Sequence, residues 1–190
     1  MRPTFTIVAA TLLSLPALAG EPPTAATAPA APGAGYQDGF FLQSPDERFK
    51  LKLRGLVQVR GTATVPLEEP DATSVTAAIQ RAQLELGGNA FSKQLTFQLK
   101  TELGQGFTFV KDAWVNYAIA PGLLEVRAGQ WKRPFSRQEI TGDAKQGLVD
   151  RGLVNATFAA GRDIGVALHN DIEKSPALEW AAGAFAGGTD

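Results

Sequence analysis

The sequence predicts an all-β protein, an antiparallel, up-and-down sheet of the kind that closes into a transmembrane β-barrel. Three observations predict it. Apolar and polar residues alternate with period two in several segments, whereas helical periodicity is scarce. Turn-forming residues join most of these segments in series. An export signal precedes them, so the chain is expected to leave the cytoplasm.

The N-terminus has the three parts of a signal peptide. Arg2 and the amino group supply positive charge, Phe5 to Leu15 is a short apolar run, and Ala17 and Ala19 fit a small-residue cleavage site. We therefore predict a signal peptide over residues 1–19. Residues 20–35 are rich in Pro, Ala and Thr and have no hydrophobic periodicity, so we predict a disordered leader there. Residues 36–190 are predicted to be the N-terminal part of a barrel.

The first alternating segment, residues 49–65, has one apolar face. The opposite face carries four positive charges, on Lys50, Lys52, Arg54 and Arg60. Backbone polar groups have no partner in hydrocarbon, so a membrane sheet must close on itself, with an apolar outer face and a polar lumen. We therefore expect these four cations to face a lumen, and the apolar residues between them to face lipid.

Six further alternating segments are predicted, at residues 75–86, 95–103, 107–117, 123–130, 162–169 and 178–185. Gly87 to Asn89 is interpreted as a turn between the second and third segments. Gln80 interrupts the apolar face of the second segment and Lys111 that of the fourth. A bulge or a late strand start would explain Lys111. About seven strands are therefore expected.

A soluble β-sandwich with one wet face would show the same alternation. Strand length favours the membrane barrel, because globular strands are usually about five or six residues long and membrane strands need about 9–11. The first and fourth segments reach that length. From these residues a soluble periplasmic β-sheet binding protein remains the alternative function.

Composition and motifs exclude several classes of function. The chain has no cysteine, so disulfides and thiolate chemistry are excluded, and a net charge of −1 gives no indication of nucleic-acid binding. No nucleophile elbow, P-loop or Cys/His set is present. His169 is the only histidine and lacks neighbours with metal-ligand spacing. We expect no enzyme activity, no cofactor and no metal.

Several short stretches resemble the phosphate-selective porin O/P family. Residues 129–136, GQWKRPFS, resemble its GQFKxPFS stretch, and residues 81–86, RAQLEL, resemble its RRARLEL strand. Residues 112–117, DAWVNY, resemble DAYVxY, and residues 161–166, GRDIGV, resemble GRDxGV. The ending at residues 185–187, FAG, resembles FNG. The stretches occur in the order typical of the family.

This resemblance implies a sixteen-stranded barrel in the bacterial outer membrane, a homotrimer when full length, whose third outer loop folds inward. It implies contact with outer-membrane lipid and passive diffusion of small hydrophilic solutes, including anions such as phosphate. Gln80 and Gln83 stand where the family has arginines, Trp131 replaces Phe and Ala186 replaces Asn. The lost arginines weaken the expectation of phosphate selectivity. With about seven strands, the chain is expected to be a fragment that forms no pore alone.

Basic side chains at a constriction favour anions. The cations that we predict to line the pore and bind anions are Lys50, Lys52, Arg54, Arg60, Arg81, Lys100 and Arg127 on the wall and Lys132, Arg133 and Arg137 in the third outer loop, which also carries Lys145 and Arg151. Two alternatives remain open. The loop charges would be solvated outside the pore, or acidic residues on the wall and loop would pair with the cations and cancel their field.

Overall fold

The computed structural model describes residues 5–7, 33–67, 73–104, 106–148, 150–159, 161–170, 174 and 177–187. Most of the predicted signal peptide and leader lies outside these residues. The described parts of those two segments are a short strand at residues 5–7 and the start of a second strand at Ala34.

Ten strands and two short helices make up the described structure. The strands are β1 (Phe5–Ile7), β2 (Ala34–Tyr36), β3 (Phe40–Gln43), β4 (Lys50–Val65), β5 (Ser74–Asn89), β6 (Leu95–Glu102), β7 (Phe109–Ala120), β8 (Leu124–Lys132), β9 (Arg162–His169) and β10 (Ala181–Phe185). Between β8 and β9 lie α1 (Arg137–Ile140), a 3₁₀ turn (Asp143–Lys145) and α2 (Leu153–Phe158). The seven predicted segments correspond to β4 to β10. The short hairpin of β2 and β3 was not predicted.

Strands β2 to β10 form one antiparallel sheet in which each strand pairs with its neighbours in sequence. β1 pairs with the far end of β4. Within the described residues the sheet is open, with β2 and β10 at its ends. The predicted all-β, up-and-down architecture is confirmed, and the sheet is consistent with part of a barrel. No helix among the described residues has the length and hydropathy needed to cross a membrane.

Burial in this sheet is inverted relative to a water-soluble protein. Buried apolar residues are few, namely Ala118, Trp131 and Ala167. Buried polar and charged residues are far more numerous: Gln83, Glu102, Asp112, Asn116, Glu125, Arg127, Glu139, Asp143, Asn155, Asp163, His169 and Asn170. Large apolar side chains are exposed instead. Contact between so much apolar surface and water would cost free energy. Exposure to hydrocarbon removes that cost.

The apolar face predicted for the first segment is exposed in β4. Leu51 and Leu53 are 40% and 39% exposed, and Val57 and Val59 are 69% and 58% exposed. No second layer of protein covers these side chains in the part of the chain that the structure describes. A soluble sandwich would bury them, so the structure does not favour that alternative.

Two details of β5 differ from the sequence prediction. A register shift leaves Gln80 as an extra residue opposite Gln58 and Val59, so that Val59 pairs with Ile79. This bulge places Ile79 rather than Ala78 on the apolar face. The predicted turn at residues 87–89 is wrong, because β5 continues to Asn89. Gly88 has φ +156°, and a Cβ there would lie 1.8 Å from the Lys50 carbonyl oxygen, so this glycine permits close strand approach rather than a turn.

Exposed aromatic rings gather at the end of the sheet that carries the short turns. Phe91 packs edge-to-face on Phe49 with ring centroids 5.2 Å apart. A second pair, Tyr36 and Phe40 at 5.3 Å, lies level with Leu53, a little further along β4. Tyr117 is 46% exposed near the same end. Such rings are typical of the boundary between hydrocarbon and headgroups.

Candidate functional site

The face of the sheet opposite the exposed apolar residues is here called the polar face. Residues 133–161, between β8 and β9, are called the third loop. The register of the strands and the path of this loop together decide which charges meet.

A row of alternating charges crosses the polar face from β4 to β9. Arg54 donates to Asp38 at 3.1 Å and also bonds Glu85. Lys100 lies 3.7 Å from the second oxygen of Glu85 and pairs in register with Asp112, which accepts from Arg162 at 2.9 Å. Direct cross-strand pairing brings the residues of β4 to β7 together, whereas Arg162 reaches Asp112 across β8. Two of the predicted pore cations, Arg54 and Lys100, therefore have carboxylate partners.

A bulge in β7 directs a further lysine toward the polar face. Lys100 pairs with Asp112 and Thr101 pairs with Val110, so Lys111 is the extra residue. This confirms a bulge as the reason for its position. The Lys111 ammonium donates to Glu102 at 3.0 Å and lies 3.7 Å from Asp143 of the third loop. Bulges redirect side chains in this way.

The third loop lies over the polar face and contacts strands on both sides. Asp143 accepts a 2.8 Å hydrogen bond from the Gln83 amide on β5. Asp150 bonds Arg60 on β4. At the other side of the loop, Arg137 bonds Glu179, which precedes β10. The segment between β8 and β9 thus folds over the polar face.

Polar contacts within the third loop stabilise its shape. Arg151 lies 3.2 Å from Glu139 and donates to Asp143 at 2.9 Å. The Asn155 amide donates to Glu139 at 2.9 Å and its oxygen accepts from Ser136 at 2.7 Å. These bonds join α1, the 3₁₀ turn and α2, helices too short to be stable alone.

Asp143 has the most strongly perturbed carboxyl of the loop. Burial raises its pKa. The hydrogen bond from Gln83 and the positive charges of Lys132, Lys111 and Arg151 outweigh burial, so the pKa of Asp143 lies well below its usual range. The carboxylate is therefore ionised at neutral pH and serves as the negative centre of this contact.

Two of the cations predicted for the third outer loop bond other protein groups rather than face open space, and one of them, Lys132, is the last residue of β8 rather than part of the loop. The Lys132 ammonium donates to the backbone oxygens of Glu139 at 2.6 Å and Thr141 at 3.4 Å. Arg133 lies 3.7 Å from Asp163 on β9. Together with the Arg137 pair, these bonds show that the three predicted loop-side cations all have structural partners.

The remaining predicted wall cations have varied surroundings. Lys50 stands over the Phe41 ring at 4.7 Å. Arg127 is buried and stacks on Trp114 at 4.1 Å, a cation–π contact. Arg81 donates to Gln58 at 2.8 Å and lies 4.0 Å from Asp143, while Arg60 holds the loop through Asp150. Lys52 is half-buried and makes no ion pair with another described residue.

The sequence analysis did not single out the neutral polar side chains of the polar face. The Asn116 amide donates to Glu125 at 2.7 Å, and its oxygen lies 2.9 Å from the His169 ring nitrogen. The alternation along the strands could have placed these side chains on the polar face. Their contacts follow only from the register of the strands. Among the described residues, no three His, Cys, Asp or Glu side chains are grouped to hold a metal ion.

The comparisons with known proteins agree with the fold. A search of curated proteins found no match to the chain. A protein-family model described as "Phosphate-selective porin O and P" matches residues 64–190, which include β5 to β10 and the third loop. The chain therefore belongs to the phosphate-selective porin O and P family.

Proposed function

We propose that this protein is a channel of the bacterial outer membrane through which small hydrophilic solutes, anions among them, diffuse passively. Family membership implies an outer-membrane protein. The single observation that supports a water-filled passage best is the inverted burial of the sheet, with exposed apolar residues on one face and charged residues on the other. A membrane barrel needs this distribution, with lipid outside and water inside.

Anion preference in this proposal comes from the predicted cations, but not from all of them equally. Arg54, Lys100 and Arg133 have carboxylate neighbours, which reduce the field that a passing anion meets. Lys52 has no such neighbour among the described residues. Lys50 stands over a ring and makes no ion pair with a described carboxylate, and its charge acts only at longer range on Glu47. We therefore assign the larger part of the preference to Lys50 and Lys52.

Passive conduction is tested with protein expressed from its complete gene, purified in detergent and inserted into planar lipid bilayers and liposomes. We expect stepwise ohmic currents and liposome swelling with small neutral sugars. Swelling should slow as the sugar becomes larger, because the third loop narrows the passage. A folded, inserted protein that neither conducts nor admits sugars would contradict the proposal.

Selectivity is tested by reversal potentials in a salt gradient. The double variant Lys50→Gln/Lys52→Gln should lower the anion-to-cation permeability ratio more than Lys100→Gln, because Lys100 is already paired with Glu85. Lys93→Gln is the control, since Lys93 bonds Glu47 in an exposed turn away from the polar face. Equal ratios for the double variant and wild type would remove Lys50 and Lys52 from the site.

We also propose that the full-length protein is a homotrimer, as the family resemblance implies. Native mass spectrometry and chemical cross-linking in detergent test this. A single species with the mass of one chain would contradict it.

A further inference from the structure

One buried carboxylate joins the third loop to the wall. The Asp143 side chain is 2% exposed. One of its oxygens accepts from Gln83 at 2.8 Å and lies 3.7 Å from the Lys111 ammonium and 4.0 Å from Arg81. The other accepts from Arg151 at 2.9 Å. Each carboxylate oxygen therefore accepts one hydrogen bond, and two further cations lie within 4.0 Å of one of them.

Two strands beneath Asp143, β5 and β7, contact it through different features of the fold. Gln83 lies on β5 and also donates to Glu102 on β6 at 3.0 Å. Lys111 reaches Asp143 because of the bulge in β7. Charge-assisted hydrogen bonds of this kind are about twice as strong as neutral ones. Asp143 therefore couples the loop to β5 and β7 at one point.

The second acidic contact between loop and wall is much more exposed. Asp150 bonds Arg60, but its side chain is 58% exposed. Exposed pairs contribute little because water screens them. Asp143 and Asp150 thus form a matched pair, with the same residue type and the same loop but opposite burial.

We propose that Asp143 is the positioning residue that holds the third loop across the passage, and that it thereby sets both the width and the charge of the constriction. This inference rests on the proposed channel function. Asp143 does not contact the solute. It acts by placing a negative charge among Lys111, Arg81 and Arg151. Glu102 and Glu139 neutralise Lys111 and Arg151 in part, and Asp143 is the carboxylate that all three cations share.

Loss of the Asp143 charge has two consequences that occur together. The mutual repulsion of the three cations displaces the loop, so the passage widens. The same cations, now less fully neutralised, then raise the local positive potential, so the anion preference increases. A change in a solute-binding group alone would alter selectivity without widening the passage.

The test compares Asp143→Asn with Asp150→Asn in protein expressed from its complete gene. Removing one partner of a buried charged hydrogen bond should lower the ratio of docked to released loop by about tenfold to a hundredfold. For Asp150→Asn the expected decrease is less than about fivefold. Heat-dependent gel migration first confirms that each variant is a folded barrel. Gln83→Ala, which removes the wall-side donor and leaves the loop sequence intact, is the second variant.

Three measurements follow on folded protein. Asp143→Asn should show a larger single-channel conductance, a reversal potential shifted toward anion selectivity, and faster trypsin cleavage between residues 137 and 151. Gln83→Ala should change all three in the same direction, and Asp143→Glu, which keeps the charge, should restore values near wild type. Asp150→Asn should resemble wild type.

The inference is overturned if Asp143→Asn and Gln83→Ala keep the wild-type conductance and loop cleavage rate. Equal effects of Asp143→Asn and Asp150→Asn would overturn it as well. Trypsin cleavage separates this inference from the channel proposal, because it reports loop release even if the wild-type protein conducts no ions.

Discussion

A charged substitution on the apolar face gives the sharpest test of the inverted fold. Val57 is 69% exposed and Leu56, its neighbour in β4, faces the polar side. We compare Val57→Arg with Leu56→Arg. The two variants have the same added charge one residue apart, and differ mainly in the face that receives it.

The expected magnitude follows from the position of Val57 in β4. Val57 lies seven residues after Lys50, about 23 Å along the strand at about 3.3 Å per residue. With a tilt of about 45°, this is a height of about 16 Å, within the central part of an apolar band about 25 Å tall. Arginine on the lipid face at that depth costs about 2–4 kcal/mol. Leu56→Arg should cost less than about 1 kcal/mol, because water hydrates its guanidinium.

The assay is reversible urea unfolding in phospholipid vesicles, followed by fluorescence of Trp114, Trp131 and Trp180. Val57→Arg should lose about 2–4 kcal/mol of unfolding free energy and Leu56→Arg should remain near wild type. In a water-soluble sheet the order would be reversed or absent, since an arginine on an exposed face is harmless there. Equal stability of the two variants would refute the assignment of the apolar face to lipid.

Three further predictions follow from single sites. Because the pKa of Asp143 is depressed, its contribution to loop docking is present above about pH 4, the usual range for aspartate, and is lost as pH falls below it. The wild-type conductance should therefore stay constant from about pH 7 to 5. The conductance of Asp143→Asn should exceed that of wild type at both pH values. Gly129→Ala should lower the unfolding free energy by about 1–3 kcal/mol, because φ is +130° and a Cβ would lie 2.2 Å from a backbone oxygen of β7. Gly147→Ala, where a Cβ meets open space, should leave it unchanged, and unfolding in vesicles checks both variants. Trp114→Leu should lower the unfolding free energy by about 1 kcal/mol, because it removes the cation–π contact with Arg127. Trp114→Phe should give an intermediate value in the same assay.

The strands were predicted well from the sequence where no bulge interrupts the alternation of apolar and polar residues. The clean alternation of β6 and the long first segment of β4 predicted those strands closely. Gln80 and Lys111 broke the pattern because each is an extra residue, and a single sequence shows an interruption without showing which residues change face. The β2–β3 hairpin was missed because its strands have only three and four residues.

The site was predictable in composition but not in pairing. Alternation placed Arg54, Lys100 and Arg127 on one face, and the resemblance implied an inward loop. Which carboxylate each cation meets depends on strand register and on a loop that crosses several strands, and neither is a local property. Asp143 is separated from Gln83 by 60 positions, so no spacing in the sequence could indicate their contact.

The pairing of each strand from β2 to β10 with its sequence neighbours has a consequence for biogenesis. Each hairpin can be added to a growing sheet without waiting for distant segments, so entropy losses at each step are small. The third loop is different, since its wall partners on β5 and β7 precede it. Docking of this loop must follow assembly of those hairpins, and errors in it would leave an intact wall with an unobstructed interior.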